Sequence, residues 1–281
     1  MQVTAEEIHL LARLVSDLCG VVLDESKGYL IESRLSRVAD ELGCKSFTEL
    51  YHKIRYSTDL EHQTKIIDAI TTNETLFFRD ASPFEALQHK AIPELIDARA
   101  NTAFPRRLRI WSAASSTGQE PYTVAMVLHE LIPDVHAWDI SIFATDISDT
   151  VIRAASLGKY AAYEVQRGMT PELLQKYFIN EGTTWRVRDE IRAMVHFQRL
   201  NLLKPFPQVG MFDVILCRNV AIYFTPEARR DLFMRLANCL APDGYMFVGS
   251  AESLADLGPR FAPHPHCRSS FYRPNLQPAL V

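Results

Sequence analysis

Three stretches carry residues whose types and spacing suit chemistry. The first is Ser115-Ser116-Thr117-Gly118-Gln119-Glu120-Pro121-Tyr122, which follows Ile110-Trp111. It reads as a buried strand, a turn of small residues and the start of a helix. This is the first unit of a doubly wound α/β domain, whose ligands bind at the turn. Small side chains let a ligand approach the backbone, and Gly118 is free to take conformations other residues resist. The helix start offers free N–H groups and the positive end of a dipole. The second is Asp146, at the end of a predicted strand over 140–145. An acid there is the usual partner of a ribose diol; the other reading is a cap for a helix over 148–157. The third is Arg218-Asn219-Val220 with Tyr223-Phe224. It ends the apolar run 212–217, expected of a strand buried on both faces.

The turn narrows the ligand. A dinucleotide fingerprint needs G-x-G-x-x-G, and a P-loop ends in Gly-Lys-Ser/Thr. This turn has one glycine and no lysine, so it suits polyphosphate poorly. Glu120 would repel phosphate and favour positive charge. S-adenosylmethionine, with a sulfonium, an ammonium and no phosphate, meets that description. An ordinary turn that binds nothing is the plain alternative.

The elements that position these residues follow from periodicity. Residues 4–72 read as helices. Thr4 and Glu7 form a capping box ahead of Ile8, Leu11, Leu14, Val15 and Leu18, and Gly20 stops the helix. A second helix over about 24–42 carries Ile31, Leu35, Val38 and Leu42, with Lys27, Arg34 and Arg37 on one flank. Those cations read either as a solvated rim or as a basic face for an acidic partner. Ser46 starts a third helix, and a fourth spans about 58–71. Residues 1–72 are thus a helical domain, and 73–82 a linker. Phe77 and Phe78 demand burial there, so the linker is expected to pack over the 115–118 turn. The α/β domain is 83–281, with a helix over 83–99 and strands at 108–112, 140–145, 212–217, 245–249 and 271–273. Residues 158–200 break the alternation and read as a small β insertion. Strands alternating with helices support a mostly parallel sheet.

Composition bounds the rest. The 281 residues are 47% hydrophobic and 23% charged, with net charge −4. That is ordinary globular composition without a basic footprint for nucleic acid. The start of the chain lacks a signal peptide's apolar core, and no apolar run approaches the ~20 residues a membrane span needs. Five scattered cysteines without C-x-x-C spacing read as reduced thiols in a cytoplasmic protein. His264, His266 and Cys267 supply too few ligands, at proline-disrupted spacing, for a metal site, so none is expected.

Taken together, the chain resembles the chemotaxis receptor methyltransferases, the CheR family. Residues 72–80, Thr-Asn-Glu-Thr-Leu-Phe-Phe-Arg-Asp, look like its T-x-N-x-T-x-F-F-R-type linker with a one-residue shift at the start. Residues 115–122 look like its S-T-G-E-E-P-Y turn, and 217–224 match its C-R-N-V-x-I-Y-F strand end. The resemblance implies a Rossmann-like S-adenosylmethionine-dependent methyltransferase domain with an N-terminal all-helical domain and a small antiparallel β insertion. It implies methyl transfer to glutamate side chains of chemotaxis receptors, leaving S-adenosylhomocysteine. Asn73, Thr75 and Arg79 would face the cofactor from the linker. Glu120 would contact its methionyl end, Asp146 its ribose, and Asn201 and Leu202 its adenine. Asn219 and Val220 would close the pocket, and Tyr223 would lie near the transferred methyl, where its ring can stabilise the sulfonium. Arg79 would orient either the incoming carboxylate or the cofactor's own.

Two departures stand out. Gln119 replaces the first acid of the family's E-E pair, and Gly249-Ser250-Ala251-Glu252 stands where the family often has Gly-His-Ser-Glu. A substrate carboxylate is already ionised at neutral pH, since a free glutamate side chain titrates at about 4.3, so attack on a sulfonium methyl needs no general base. Lys27, Arg34 and Arg37 are the expected docking face for the receptor helix. The short, one-glycine stretch 178–187 predicts independence from a receptor C-terminal peptide, because β-augmentation needs free backbone groups. No nucleic acid partner, no membrane insertion and a monomeric state are expected. Nucleic-acid amino-methyltransferases usually carry an Asn/Asp-Pro-Pro-aromatic motif, absent at 219–222. A cofactor-holding docking module without catalysis, or a methyltransferase with another substrate, is the alternative function.

Overall fold

The computed structural model describes residues 2–258, 260–266 and 269–274. Its first 70 residues form the helices Ala5–Cys19, Gly28–Glu41, Phe47–Arg55 and Leu60–Ile70. Thr4 Oγ1 accepts from Glu7 N–H, and the Glu7 carboxylate accepts from Thr4 N–H, closing the expected capping box. Glu7 also accepts from Thr48 N–H at 2.9 Å, which ties the first helix to the third. Gly20 stops the first helix in the left-handed region, at φ 77°. The second helix begins later than periodicity predicts, because Glu25–Lys27 forms a 3₁₀ turn. Its stripe Ile31, Leu35 and Val38 is buried with Leu11, Val15 and Ile66 in a core separate from the rest.

The α/β domain is built on a seven-stranded sheet of order β6-β2-β1-β7-β8-β10-β9. These strands are β1 (Arg107–Ala113), β2 (Asp139–Asp146), β6 (Val195–Arg199), β7 (Phe212–Cys217), β8 (Leu240–Val248), β9 (Phe261–His266) and β10 (Ser269–Pro274). The first five run parallel, and β10 runs antiparallel to both of its neighbours, β8 and β9. Every residue of β7 is buried, as its apolar run requires. The strand order reverses between β1 and β7, the crevice where open α/β sheets bind ligands. Among the described residues β9 forms one sheet edge, and it carries Pro263 and Pro265 two residues apart.

The expected helix over 83–99 is present with a π-helical segment at Leu87–Ala91, where Ile92 N–H reaches back to Leu87 O. Pro93 explains it: proline has no N–H and its ring crowds the carbonyl four residues back. A small antiparallel sheet of order β3-β5-β4 comprises β3 (Lys159–Ala161), β4 (Phe178–Asn180) and β5 (Thr184–Val187). The insertion is shorter than expected. Residues 195–199 do not belong to it; they pair in parallel with β2, from Ile142↔Val195 to Asp146↔Arg199. Alternating Val195 and Phe197 marks a strand but does not say which sheet it joins. Among the described residues no helix is long and apolar enough to cross a membrane.

Candidate functional site

The turn after β1 is held in an uncommon shape. Ala114, Ser116 and Gly118 are all left-handed, at φ 61°, 49° and 95°. Only the last is a glycine, so the other two must be fixed by neighbours. Ser115 N–H donates to Thr145 O at 2.8 Å, and Ser116 N–H donates to Asp146 Oδ2 at 2.9 Å. A side chain at Gly118 would meet Ala155, Tyr160 and Phe197 at 3.0–3.2 Å. The helix Gln119–Leu131 starts directly from this turn.

Asp146 ends β2 and is 8% exposed. Burial pushes its pKa above the usual aspartate value, against the pull of Ser148 and Ser116 N–H. Its Oδ1 accepts from Ser148 N–H at 3.1 Å. The cap of the helix Asp149–Leu157 is Ser148, whose Oγ accepts from Val151 N–H. Asp146 therefore organises two loops rather than capping a helix. A carboxylate has roughly four acceptor positions, so these two bonds leave capacity for a ligand's hydroxyls.

The linker closes over the turn. Ser116 Oγ donates to Asn73 O at 2.9 Å, and Phe78 N–H donates to Thr123 Oγ1 at 3.2 Å. Phe77 is fully buried and Phe78 packs against Phe84, as two adjacent aromatics demand. Arg79 Nη1 donates to Glu74 O at 2.9 Å.

Arg218, at the end of β7, joins turn and linker. Its side chain is 2% exposed. Nη1 donates to Glu120 Oε2 at 2.9 Å, and Nη2 to Asp80 Oδ2 at 3.1 Å and Arg79 O at 2.9 Å. Glu120 Oε1 accepts from Ser112 Oγ at 2.7 Å. Glu120 thus reaches the cleft with its charge already partnered by a buried guanidinium. Next to it, Asn219 is left-handed at φ 58°. Glu252 holds it there, accepting from Asn219 N–H (2.7 Å), Ala221 N–H (3.0 Å) and Gly249 N–H (2.7 Å). A Cβ at Gly249 would stand 2.6 Å from Glu252 Oε2, so a bare backbone is required there. The retained Glu of Gly249-Ser250-Ala251-Glu252 is structural, and it works without the histidine. Sequence reasoning quoted Arg218 and Glu252 within motifs but gave neither a role in the site. Arg218 had a signal, a charge at the end of a wholly apolar run.

The helical domain forms the opposite wall. Val22 N–H donates to Tyr223 O at 2.8 Å, and Asn201 Nδ2 donates to Leu18 O at 2.9 Å. The second of these bonds commits one face of the Asn201 amide to the first helix. Arg34 Nη1 donates to Ile70 O at 2.7 Å and to Thr72 Oγ1 at 3.3 Å, satisfying the end of the fourth helix where the linker begins. Lys27 pairs with Asp24 at 3.6 Å. Arg37 pairs with Glu41 at 3.0 Å on the outside, with 87% of its side chain exposed. The three cations do not form one free docking face. Lys27 and Arg34 line the cleft, and Arg37 does not.

The resulting cleft encloses about 1260 Å³ including its open mouth. It brings together Asn73, Thr75 and Arg79 from the linker with Glu120 and Asp146 from the sheet. Asn201, Leu202, Asn219, Val220 and Tyr223 complete the wall. Ser115 Oγ, at the cleft, is buried with no partner among the described residues. A buried orphan hydroxyl, an acid at a strand end (Asp146) and an acid at a helix start (Glu120) fit a cofactor with a ribose and a cationic end. Among the described residues no cluster of His, Cys, Asp and Glu could hold a metal ion; Cys267 lies outside them.

A mostly parallel sheet with a crevice at its switch point, an acid at the end of β2 and no phosphate loop is the architecture of a Rossmann-like S-adenosylmethionine-dependent methyltransferase. The family model described as CheR methyltransferase, SAM binding domain matches residues 73–266, and that of the CheR all-alpha domain matches 6–71. The chain is 40% identical over 262 residues to chemotaxis protein methyltransferase 1 of Pseudomonas aeruginosa, covering 92% of this chain and 93% of that protein. It is 37% identical over 267 residues to the chemotaxis protein methyltransferase of Vibrio parahaemolyticus, covering 92% and 93%. Against that of Escherichia coli it is 35% identical over 259 residues, covering 89% and 85%. The chain belongs to the CheR methyltransferase family, and its cofactor is S-adenosylmethionine.

Proposed function

We propose that the protein methylates glutamate side chains of chemotaxis receptors, giving glutamate methyl esters and S-adenosylhomocysteine. The observation that carries the choice of a carboxylate acceptor is that the carboxylates of the cleft are already engaged, Glu120 with Arg218 and Ser112, Asp146 with the N–H groups of Ser116 and Ser148, and Glu74 with Arg167. No histidine lines the cleft among the described residues. The cysteine there, Cys19, is buried, which pushes its thiol up to about 11. An amine acceptor must lose a proton before it attacks; a glutamate, titrating at about 4.3 when free in water, need not.

The bound cofactor supplies an electrophilic methyl on a sulfonium. In this reading Asp146 accepts from the ribose hydroxyls. Asn201 and Leu202 border the adenine, Asn219 and Val220 the methionyl group. The Glu120 carboxylate meets the ammonium, and Asn73 and Thr75 cover the cofactor from the linker. Tyr223, exposed at the rim, offers its ring to the positive sulfur. Arg79 has donors left beyond its bond to Glu74, and these orient the incoming carboxylate. The work of the protein is alignment and exclusion of water. The enzyme acts as a cytoplasmic monomer.

Docking is divided among the three cations: Arg37, on the outside, meets the receptor, while Lys27 and Arg34 stand at the cleft wall. Arg37→Glu is expected to lower receptor methylation several-fold and leave cofactor affinity unchanged, since its neighbours are solvent and Glu41. Arg34→Glu is expected to lower both, because it holds the start of the linker. Calorimetry with S-adenosylhomocysteine beside a methylation assay separates them. Equal cofactor affinities in the two variants would defeat this division.

The turn of the small sheet supports independence from a receptor C-terminal peptide. It is three residues long, 181–183, and Glu181 and Gly182 N–H are already spent on Thr184 O and Asn180 Oδ1. The deciding experiment is transfer of labelled methyl to one receptor, with and without its last residues. The label should be released by mild alkali, as an ester is, and truncation should leave the rate unchanged. Alkali-stable label would mean a different acceptor. A large loss on truncation would mean that the small sheet grips the tail.

A further inference from the structure

The small sheet has contacts inside the molecule that docking a partner does not require. Resting on S-adenosylmethionine binding at the 115–118 turn, we propose that this sheet braces the cofactor site from behind. Tyr160 is the positioning residue, holding the turn and the linker in register.

Tyr160 lies on β3 and is 3% exposed. Its hydroxyl donates to Thr117 O, within the turn, at 2.7 Å. Its ring packs edge-on against Phe77 of the linker, centroids 5.1 Å apart. Phe77 is also packed edge-on against Phe178 of β4, at 5.4 Å. One side chain thus touches both halves of the cofactor site from behind. Gly118 and Gly168 mark how close the approach is. A Cβ at Gly118 would sit 3.1 Å from the Tyr160 hydroxyl, and one at Gly168 would sit 1.8 Å from Phe77 O. Gly168 is in the insertion and left-handed at φ 93°, so linker and insertion meet backbone to side-chain-free backbone. Arg167 adds an ion pair to Glu74 of the linker at 3.2 Å.

The turn needs this support. Two of its left-handed residues, Ala114 and Ser116, carry side chains and do not hold that shape unaided. On the cleft side, Asp146 and Asn73 fix Ser116. On the far side, the Tyr160 hydroxyl fixes the next peptide. Without it the free turn samples other orientations of Thr117 O, and the cofactor must select one, which lowers its apparent affinity.

The test is calorimetry of the full-length protein with S-adenosylhomocysteine, for wild type, Tyr160→Phe and Tyr160→Leu. Unfolding midpoints and steady-state kinetics accompany it. Tyr160→Phe keeps the ring and loses one neutral hydrogen bond, so affinity should fall about fivefold. KM for S-adenosylmethionine should rise by the same factor with kcat close to wild type, and Tm should fall by no more than a few degrees. Tyr160→Leu also loses the ring on Phe77 and should weaken binding further. A Tyr160→Phe protein that binds within about twofold of wild type would overturn the proposal, as would a fall in Tm with no change in affinity. Failure of the wild type itself to bind would overturn the cofactor assignment and the proposal with it.

Discussion

Asp146→Ala is expected to weaken S-adenosylmethionine binding by about a hundredfold or more. Hydrogen bonds to a charged group contribute about 1.5–3 kcal/mol each, and in the proposed cofactor arrangement two ribose hydroxyls would lose their acceptor together. The substitution also frees Ser116 and Ser148 N–H, two buried donors that shape the turn and the next loop. Calorimetry on the folded variant gives the number. Asp146→Asn keeps one acceptor oxygen and should fall in between. A folded alanine variant with wild-type affinity would show that Asp146 only braces the loops.

Arg218→Met should cost about 3–5 kcal/mol of stability and abolish methylation. Removing one partner of a buried pair leaves the other charge without compensation. Here the orphaned group is Glu120, whose side chain is 12% exposed and would retain only Ser112. The linker would lose two ties at once, at Arg79 O and Asp80. Urea unfolding measures the first effect, and labelled methyl transfer the second. Arg218→Lys should recover part of the stability and little of the activity, since a single ammonium cannot span three acceptors. Stability equal to wild type in the methionine variant would mean that Glu120 finds water or another donor.

Much of this was legible in local pattern. The helix starts at Thr4 and Ser46 announce themselves by short-range capping, and β7 by its unbroken apolar run. Asn73, Thr75, Arg79, Glu120, Asp146, Asn201, Leu202, Asn219, Val220 and Tyr223, named from motif positions, all line the cleft, whereas the wall contributed by Cys19, Val22 and Leu23 of the helical domain was not foreseen. What escaped was pairing across distance. Nothing at residue 195 tells whether that strand extends the small sheet or the large one. Lys27, Arg34 and Arg37 share a flank in sequence, but only the fold shows Arg34 reaching 36 residues on to a helix end. Glu252 likewise reaches back 33 residues to a peptide N–H. Such bonds depend on where two loops come to lie, which periodicity does not encode.

The proline spacing of β9 bears on how this protein behaves when crowded. A strand at the rim of a sheet exposes a row of amide hydrogens that another molecule's strand can pair with, the first step towards aggregation. Pro263 and Pro265 have none to offer, and strand alternation puts their two gaps on the same side. The opposite side is spoken for, since β10 pairs along the whole of β9. This rim is therefore interrupted at consecutive pairing positions, and no neighbouring chain can zip a continuous ladder onto it.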